Sequence, residues 1–270
     1  MIRGLALALA AAAVAATPGE AKPDKASPAP MSADHAEAVQ TAVNRAQNLY
    51  TYDQAAWHTT DALLAAVPEA TLQTIRGWVV TPEGEGYRVT YYSGDPGSPH
   101  RAVFSAVWNG GTKVADGKLR VDGDDQLSAD EERLAAASDA VSSEGKMQCA
   151  DRPFNRVILP HAGTGGADLV YLLTPQTQTG SIPLGGHYRA EVKDGRVVAE
   201  RAFTNGCLDL PVDKGAEALV VSHLLDPTPT EIHFFSVFAA RKPIFVVTTK
   251  SERIWAAEVS GGQARMRLVK

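Results

Sequence analysis

The chain is 270 residues long, 44% hydrophobic, and carries a formal charge of -5. That length and apolar fraction suffice for a sizeable core. The acidic balance, with no basic run longer than Arg241-Lys242, excludes an ordinary nucleic-acid partner, whose phosphates call for clustered Lys and Arg.

Residues 1–21 place Arg3 ahead of an unbroken apolar run over residues 5–16, followed by Thr17, Pro18 and Gly19. The run is shorter than the roughly 20 residues that span a bilayer, and Val14-Ala15-Ala16 supplies small residues for cleavage. This is the pattern of a secretory signal peptide, and it predicts a periplasmic or secreted product with no membrane insertion once the signal is removed. Residues 22–31 hold Lys, Pro, Ser and Ala without periodicity and read as a flexible linker.

Ser32 is placed to cap a helix in which Ala36, Val39, Val43, Ala46 and Tyr50 recur at three-and-four spacing. A second helix is expected from Asp53, carrying Trp57, Leu64 and Val67 inward before Pro68. The period then changes. Short β-rich runs at 78–81, 87–93, 102–108 and 112–121, separated by Gly/Pro/Asp turns, predict an antiparallel meander covered on one face by the two helices. Residues 32–121 thus form a helix-plus-meander unit, and 122–270 a mixed α/β unit, within an α+β chain.

In the second unit Ser128 and Glu131 make a capping box that opens a helix to about residue 143. Strands follow at 154–159, 169–173, 187–192, 196–203 and 216–222, with Lys193-Asp194-Gly195 turning the middle pair into a hairpin. A helix at 230–240, a strand at 244–249 and a terminal hairpin at 253–269 complete the chain.

An exported chain meets oxidising conditions, so its two cysteines, Cys149 and Cys207, are expected to be bonded. Two buried thiols are the alternative. Neither lies in a Cys-x-x-Cys pair that would mark redox chemistry.

Three polar patterns bear on function. Asp122 to Glu131 imitates half of an EF-hand loop, but the register puts Arg120 where a carboxylate is needed and Asp125 where glycine is needed, so it reads as a solvated acidic turn. Gly163-Thr-Gly165-Gly166 precedes a strand, the reverse of the order a phosphate cradle needs. His187, Arg189 and Glu191 alternate onto one strand face; with Glu200 or Arg201 of the paired strand they could line a site, although a solvated face uses the same letters. No Gly-x-Ser-x-Gly motif is present.

The segment Leu219-Val-Val-Ser-His223-Leu-Leu-Asp226-Pro-Thr-Pro-Thr230-Glu-Ile-His233 reads as strand, loop and helix start, with Lys242-Pro-Ile-Phe-Val-Val-Thr248 returning as a strand. It resembles the core of the JAMM (JAB/MPN) metalloproteases, and Asp226-Pro-Thr-Pro-Thr230 resembles their RadC-like branch. In that family two histidines and an aspartate bind zinc, an upstream glutamate activates water and a serine assists. Aligned on Asp-Pro-Thr-Pro, this chain has Val220 and Ser222 at the histidine positions, Thr230 at the serine, His233 at the aspartate and His223 at a proline. The resemblance implies a degenerate JAB/MPN-like unit without the metal ligands, in which the strand ending near Ser222 pairs in parallel with 244–248. The whole chain is also similar to uncharacterised exported proteins of proteobacteria, through residues 50–57, Arg152-Pro-Phe-Asn155, Gly185-Gly-His-Tyr188 and 220–248, which implies export and no particular chemistry.

The expectation is a non-catalytic binding or envelope-associated protein without metal or cofactor. The alternative is a periplasmic hydrolase with a displaced metal or acid/base site, for which His187, Arg189, His223, Asp226 and His233 are the candidate residues.

Overall fold

The computed structural model describes residues 30–121 and 123–270. The signal-peptide reading and the linker reading up to residue 29 lie outside these residues, as does Asp122 of the acidic turn. The fold is α+β, with an N-terminal helix followed by an antiparallel meander.

Helix α1 (Ala33–Ala66) is one continuous element of 34 residues rather than the two expected. The sequence from 33 to 66 has no glycine or proline to break it. Its buried positions Val39, Ala42, Ala46, Leu49, Tyr52, Ala56, Thr59 and Leu63 keep three-and-four spacing straight through the supposed boundary. The Ser32 hydroxyl accepts from the backbone N–H of His35 at 3.3 Å, the expected cap. Val67 is buried as predicted, but Trp57 is 65% and Leu64 57% exposed. They lie one position beyond Ala56 and Leu63, about 100° around the helix, and so turn away from the core.

After the short α2 (Glu69–Leu72), strands β1 (Ile75–Glu83), β2 (Gly86–Ser93), β3 (Arg101–Trp108) and β4 (Val114–Leu119) form an antiparallel meander in that order. Helix α3 (Ala129–Ala140) begins with the predicted Ser128–Glu131 capping box. Next come β5 (Asn155–Leu159), β6 (Asp168–Leu173), β7 (Ser181–Pro183), β8 (Tyr188–Lys193), β9 (Arg196–Ala202) and β10 (Asp209–Pro211). β5, β6, β8 and β9 make a second antiparallel sheet, while β7 pairs with β10. The β8–β9 turn places Asp194 (φ 51°) and Gly195 (φ 70°) in the left-handed region, as a tight hairpin requires.

The second sheet is covered on both faces, which explains why all six residues of β6 are buried. Leu169, Tyr171 and Leu173 join the core shared with α1, whereas Val170 and Leu172 join Leu134 and Ala135 of α3.

The last sheet holds β11 (Leu219–His223), β12 (Ile244–Thr248), β13 (Arg253–Ser260) and β14 (Gln263–Leu268) in sequence order. β11 and β12 pair in parallel, Leu219 opposite Ile244 and His223 opposite Thr248. Helix α4 (Glu231–Ala240) connects them, the β-α-β arrangement expected from the sequence. α1 packs along α4 and also touches β3, β4, β5 and β14. One core cluster therefore runs from Val80 and Phe104 in the meander, through α1, to Trp255 in the last sheet.

Cys149, after α3, is bonded to Cys207, between β9 and β10, with Cα atoms 5.3 Å apart. No helix among the described residues is long and apolar enough to cross a membrane.

Candidate functional site

Two clefts border α1, and they differ in chemistry. The larger, about 570 Å³, lies where α1 meets α4. Beside its core stripe α1 carries a second one, Tyr50, Asp53, Gln54, Trp57 and Thr60, that lines this cavity. α4 adds Phe235 and Phe238, β1 adds Trp78, and the floor is closed by Asn155 of β5, Leu173 at the end of β6 and Ile182 of β7. Tyr50 stacks on Phe238 with ring centroids 4.3 Å apart and planes 9° from parallel, and meets Phe235 edge-on at 6.5 Å. A cavity of this volume, in which five aromatic side chains are interleaved with amides, hydroxyls and a carboxylate, has the size and the mixed lining of a small-molecule site.

Asp53 is its unusual member. The residue is half-buried beside the cavity, and no cationic side chain among the described residues pairs with it. Burial pushes its pKa up to about 6, opposed only by a hydrogen bond from Gln54. The cavity's one cation is Arg241, an exposed residue that ends α4 in the left-handed conformation.

The smaller cleft, about 380 Å³, opens between the first turns of α1, strands β8 and β9, and the loop before α4. Here the structure gathers four of the five candidates from the sequence. Arg189 Nη1 donates to Glu231 Oε1 at 2.5 Å, and the fully buried Tyr171 hydroxyl donates to the same oxygen at 2.9 Å. Arg201, opposite Arg189 on the paired strand, grips Asp226 with two bonds of 3.2 and 2.6 Å. His223 Nε2 bonds Asp226 Oδ2 at 2.8 Å. The polar face of β8 is thus a buried charge network, with Glu231 and Asp226 offsetting the paired arginines. Burial raises the Asp226 pKa, but the bonds from His223 and Arg201 outweigh it and hold the group well below the usual carboxylate range.

His233 packs edge-on to His223, ring centroids 4.7 Å apart. Its Nδ1 accepts from the Thr230 backbone N–H at 3.0 Å and contacts the Thr230 hydroxyl at 3.1 Å, so this imidazole completes the capping box of α4. Burial and the neighbouring His223 push its pKa down to about 3. An imidazole that resists protonation to this degree is a poor general base. No hydroxyl is hydrogen-bonded to the His223 ring among the described residues, so the His223–Asp226 pair has no attached nucleophile.

His187 stands apart from the other four. Its Nδ1 accepts from the Thr174 backbone N–H at 3.1 Å and its Nε2 donates to the Pro183 carbonyl at 3.0 Å, and burial lowers its pKa to about 4. It braces the loop after β6.

The residues aligned with zinc ligands do not fit a metal. Val220 is 64% exposed and Ser222 is also exposed, both on the face of β11 turned away from the buried His223. Among the described residues no three His, Cys, Asp or Glu side chains are placed to hold a metal ion. In the acidic turn, Asp124 bonds Lys118 at 2.5 Å and Asp125 bonds Arg101 at 3.4 Å, so these carboxylates are occupied by the chain's own cations.

Comparison with protein-family models, with curated proteins and with solved structures gives no match. What the chain does has to be read from the two clefts. The sequence pointed to the smaller one and missed the larger, whose residues come from six elements. One signal was present: Tyr50, Asp53, Gln54 and Trp57 sit at three-and-four spacing beside the core stripe, an aromatic and polar row that packing alone does not call for.

Proposed function

We propose that this is an exported, non-catalytic binding protein that takes a small ligand in the cavity between α1 and α4. The observation that carries the reading is the aromatic wall, Tyr50, Trp57, Trp78, Phe235 and Phe238, around one unpaired carboxylate. Trp57 keeps a large indole in solvent at 65% exposure, a cost in hydration that a stacking ligand would relieve. Export is supported by the signal-like residues 1–21 and by the Cys149–Cys207 bond.

The hydrolase alternative has one observation in its favour, the His223–Asp226 hydrogen bond. Against it stand the missing nucleophile and the low basicity of His233. A JAB/MPN-like scaffold with Val220 and Ser222 in the ligand positions also fits binding better than catalysis.

The indole N–H signals of the four tryptophans in a 15N–1H NMR spectrum test the proposal. In a screen of small aromatic compounds, hits should shift Trp57 and Trp78 and leave the fully buried Trp255, bonded to Thr248 at 2.9 Å, unmoved. A screen in which no compound of any charge shifts Trp57 or Trp78 would refute it.

A further inference from the structure

Resting on the binding reading above, the geometry points to an organic cation, an amine or quaternary ammonium on an apolar body, as the ligand class of the α1–α4 cavity. Three features of the cavity converge on it. Asp53 brings the cavity's only carboxylate beside aromatic walls, on the same helical stripe as Tyr50 and Trp57. The buried carboxylates Glu231 and Asp168 are matched by Arg189 and Arg133, and the half-buried Asp226 by Arg201 and His223. Asp53, half-buried at the cavity, has no such partner, so a ligand that brings a positive charge supplies what the fold withholds.

The walls act in the same direction. Indole, phenol and phenyl rings present electron-rich faces that attract a cation lying within about 6 Å of the ring centre, and tryptophan does so best. Trp57 and Trp78 come from different elements, α1 and β1, and line the same space, so a cationic head on Asp53 can be flanked by rings while its apolar body meets Phe235 and Ile182. An anion would face the Asp53 carboxylate and the negative ring faces together. Arg241, the one cation present, is exposed, where solvent and salt screen its repulsion.

Protonation of Asp53 gives the assignment a pH check. A cation should bind less tightly as pH falls through about 6, where burial places this carboxyl, and a neutral ligand of the same shape should not respond. The other ionisable side chains lining the cavity are Tyr50 and Arg241, so loss of the pH step in Asp53→Asn assigns it to the carboxylate.

The test is calorimetric titration of the folded protein with three probes of one shape: phenethylamine, 2-phenylethanol and 3-phenylpropionate. Phenethylamine should bind at least about tenfold more tightly than 2-phenylethanol, with 3-phenylpropionate weakest. Asp53→Asn should bring the amine and the alcohol to within about twofold of one another, and Trp57→Ala should weaken the amine more than the alcohol. Equal binding of amine and alcohol, tightest binding of the carboxylate, or an amine preference that survives Asp53→Asn would each overturn the cation assignment while leaving the cavity as a binding site. Failure of all three probes to bind at millimolar concentration would overturn it as well, and the tryptophan NMR screen then decides separately whether the cavity binds anything.

Discussion

The Tyr50 ring lies flat against Phe238, 4.3 Å between centroids, and this one stack both joins α1 to α4 and forms a wall of the larger cleft. Packing and binding are therefore carried by adjacent atoms, and substitutions should separate them. Phe238 is 8% exposed, so Phe238→Ala leaves a void and should cost about 3 kcal/mol in a denaturant melt. Trp57, 65% exposed, is expected to tolerate alanine with a change below about 0.5 kcal/mol and to lose ligand binding instead.

Asp53 should make the free protein less stable than it need be. Its pKa is about 6 in the fold against an ordinary value of 3.8. Between those values the folded state binds the extra proton, so its stability rises as pH falls through this window and the penalty is fully present above it. Asp53→Asn should raise stability at pH 8 by up to about 3 kcal/mol and lose most of that advantage near pH 4. Denaturant melts at the two pH values check this; equal stability of the two proteins at pH 8 would show that the carboxylate is not desolvated.

The buried histidines work in the opposite sense. His187 and His233 have folded pKa values of about 4 and about 3, below the ordinary value of 6.5, so below pH 6.5 the unfolded chain takes up protons that the fold refuses. Their contribution is present above pH 6.5 and lost as pH falls, each adding a slope of about 1.4 kcal/mol per pH unit until its folded pKa is reached. His187→Gln, whose amide can accept from Thr174 and donate to Pro183, should flatten the slope between pH 6 and 4 in urea titrations. An unchanged slope would mean that His187 is not buried in its neutral form.

The disulfide is packed against a backbone that only glycine can supply. Gly186 has φ +74°, and a Cβ there would lie 2.5 Å from Cys149 Sγ and 2.8 Å from Thr174 Oγ1. Gly186→Ala should therefore destabilise by more than about 2 kcal/mol. Removing the bridge, which closes a separation of 58 residues, should cost about 2 to 5 kcal/mol. Thiol labelling of the folded protein without reductant should mark neither cysteine.

Much of this architecture was legible in the chain because it rests on local signals. The Ser128–Glu131 box, the alternation in β2 and β3 and the Lys193-Asp194-Gly195 turn each act within a few residues of themselves. The continuity of α1 was missed because Tyr50-Thr-Tyr52 looks like a poor helix segment, and propensity yields to packing once Leu49 and Tyr52 are buried. The smaller cleft was half legible. Arg189, His223 and Asp226 stood out as polar residues beside apolar runs, but Glu231, which neutralises Arg189 and binds Tyr171, looked like an ordinary acidic residue in the first turn of a helix. The reading of Arg189 and Glu191 as a solvated face fails because α1 and the start of α4 cover that side of the sheet, leaving each of these side chains 12% exposed. The larger cavity was illegible because Asn155, Phe235 and Trp78 meet Asp53 only in three dimensions.

Crystals of the folded protein soaked with a set of small aromatic amines, alcohols and acids give the most direct test, because both clefts are then offered the same compounds at once. The account predicts that bound compounds gather between α1 and α4, with amine nitrogens within hydrogen-bonding distance of Asp53 and rings against Trp57 or Trp78. Compounds gathered instead in the smaller cleft beside Arg189 and Arg201, with nothing between α1 and α4, would contradict it.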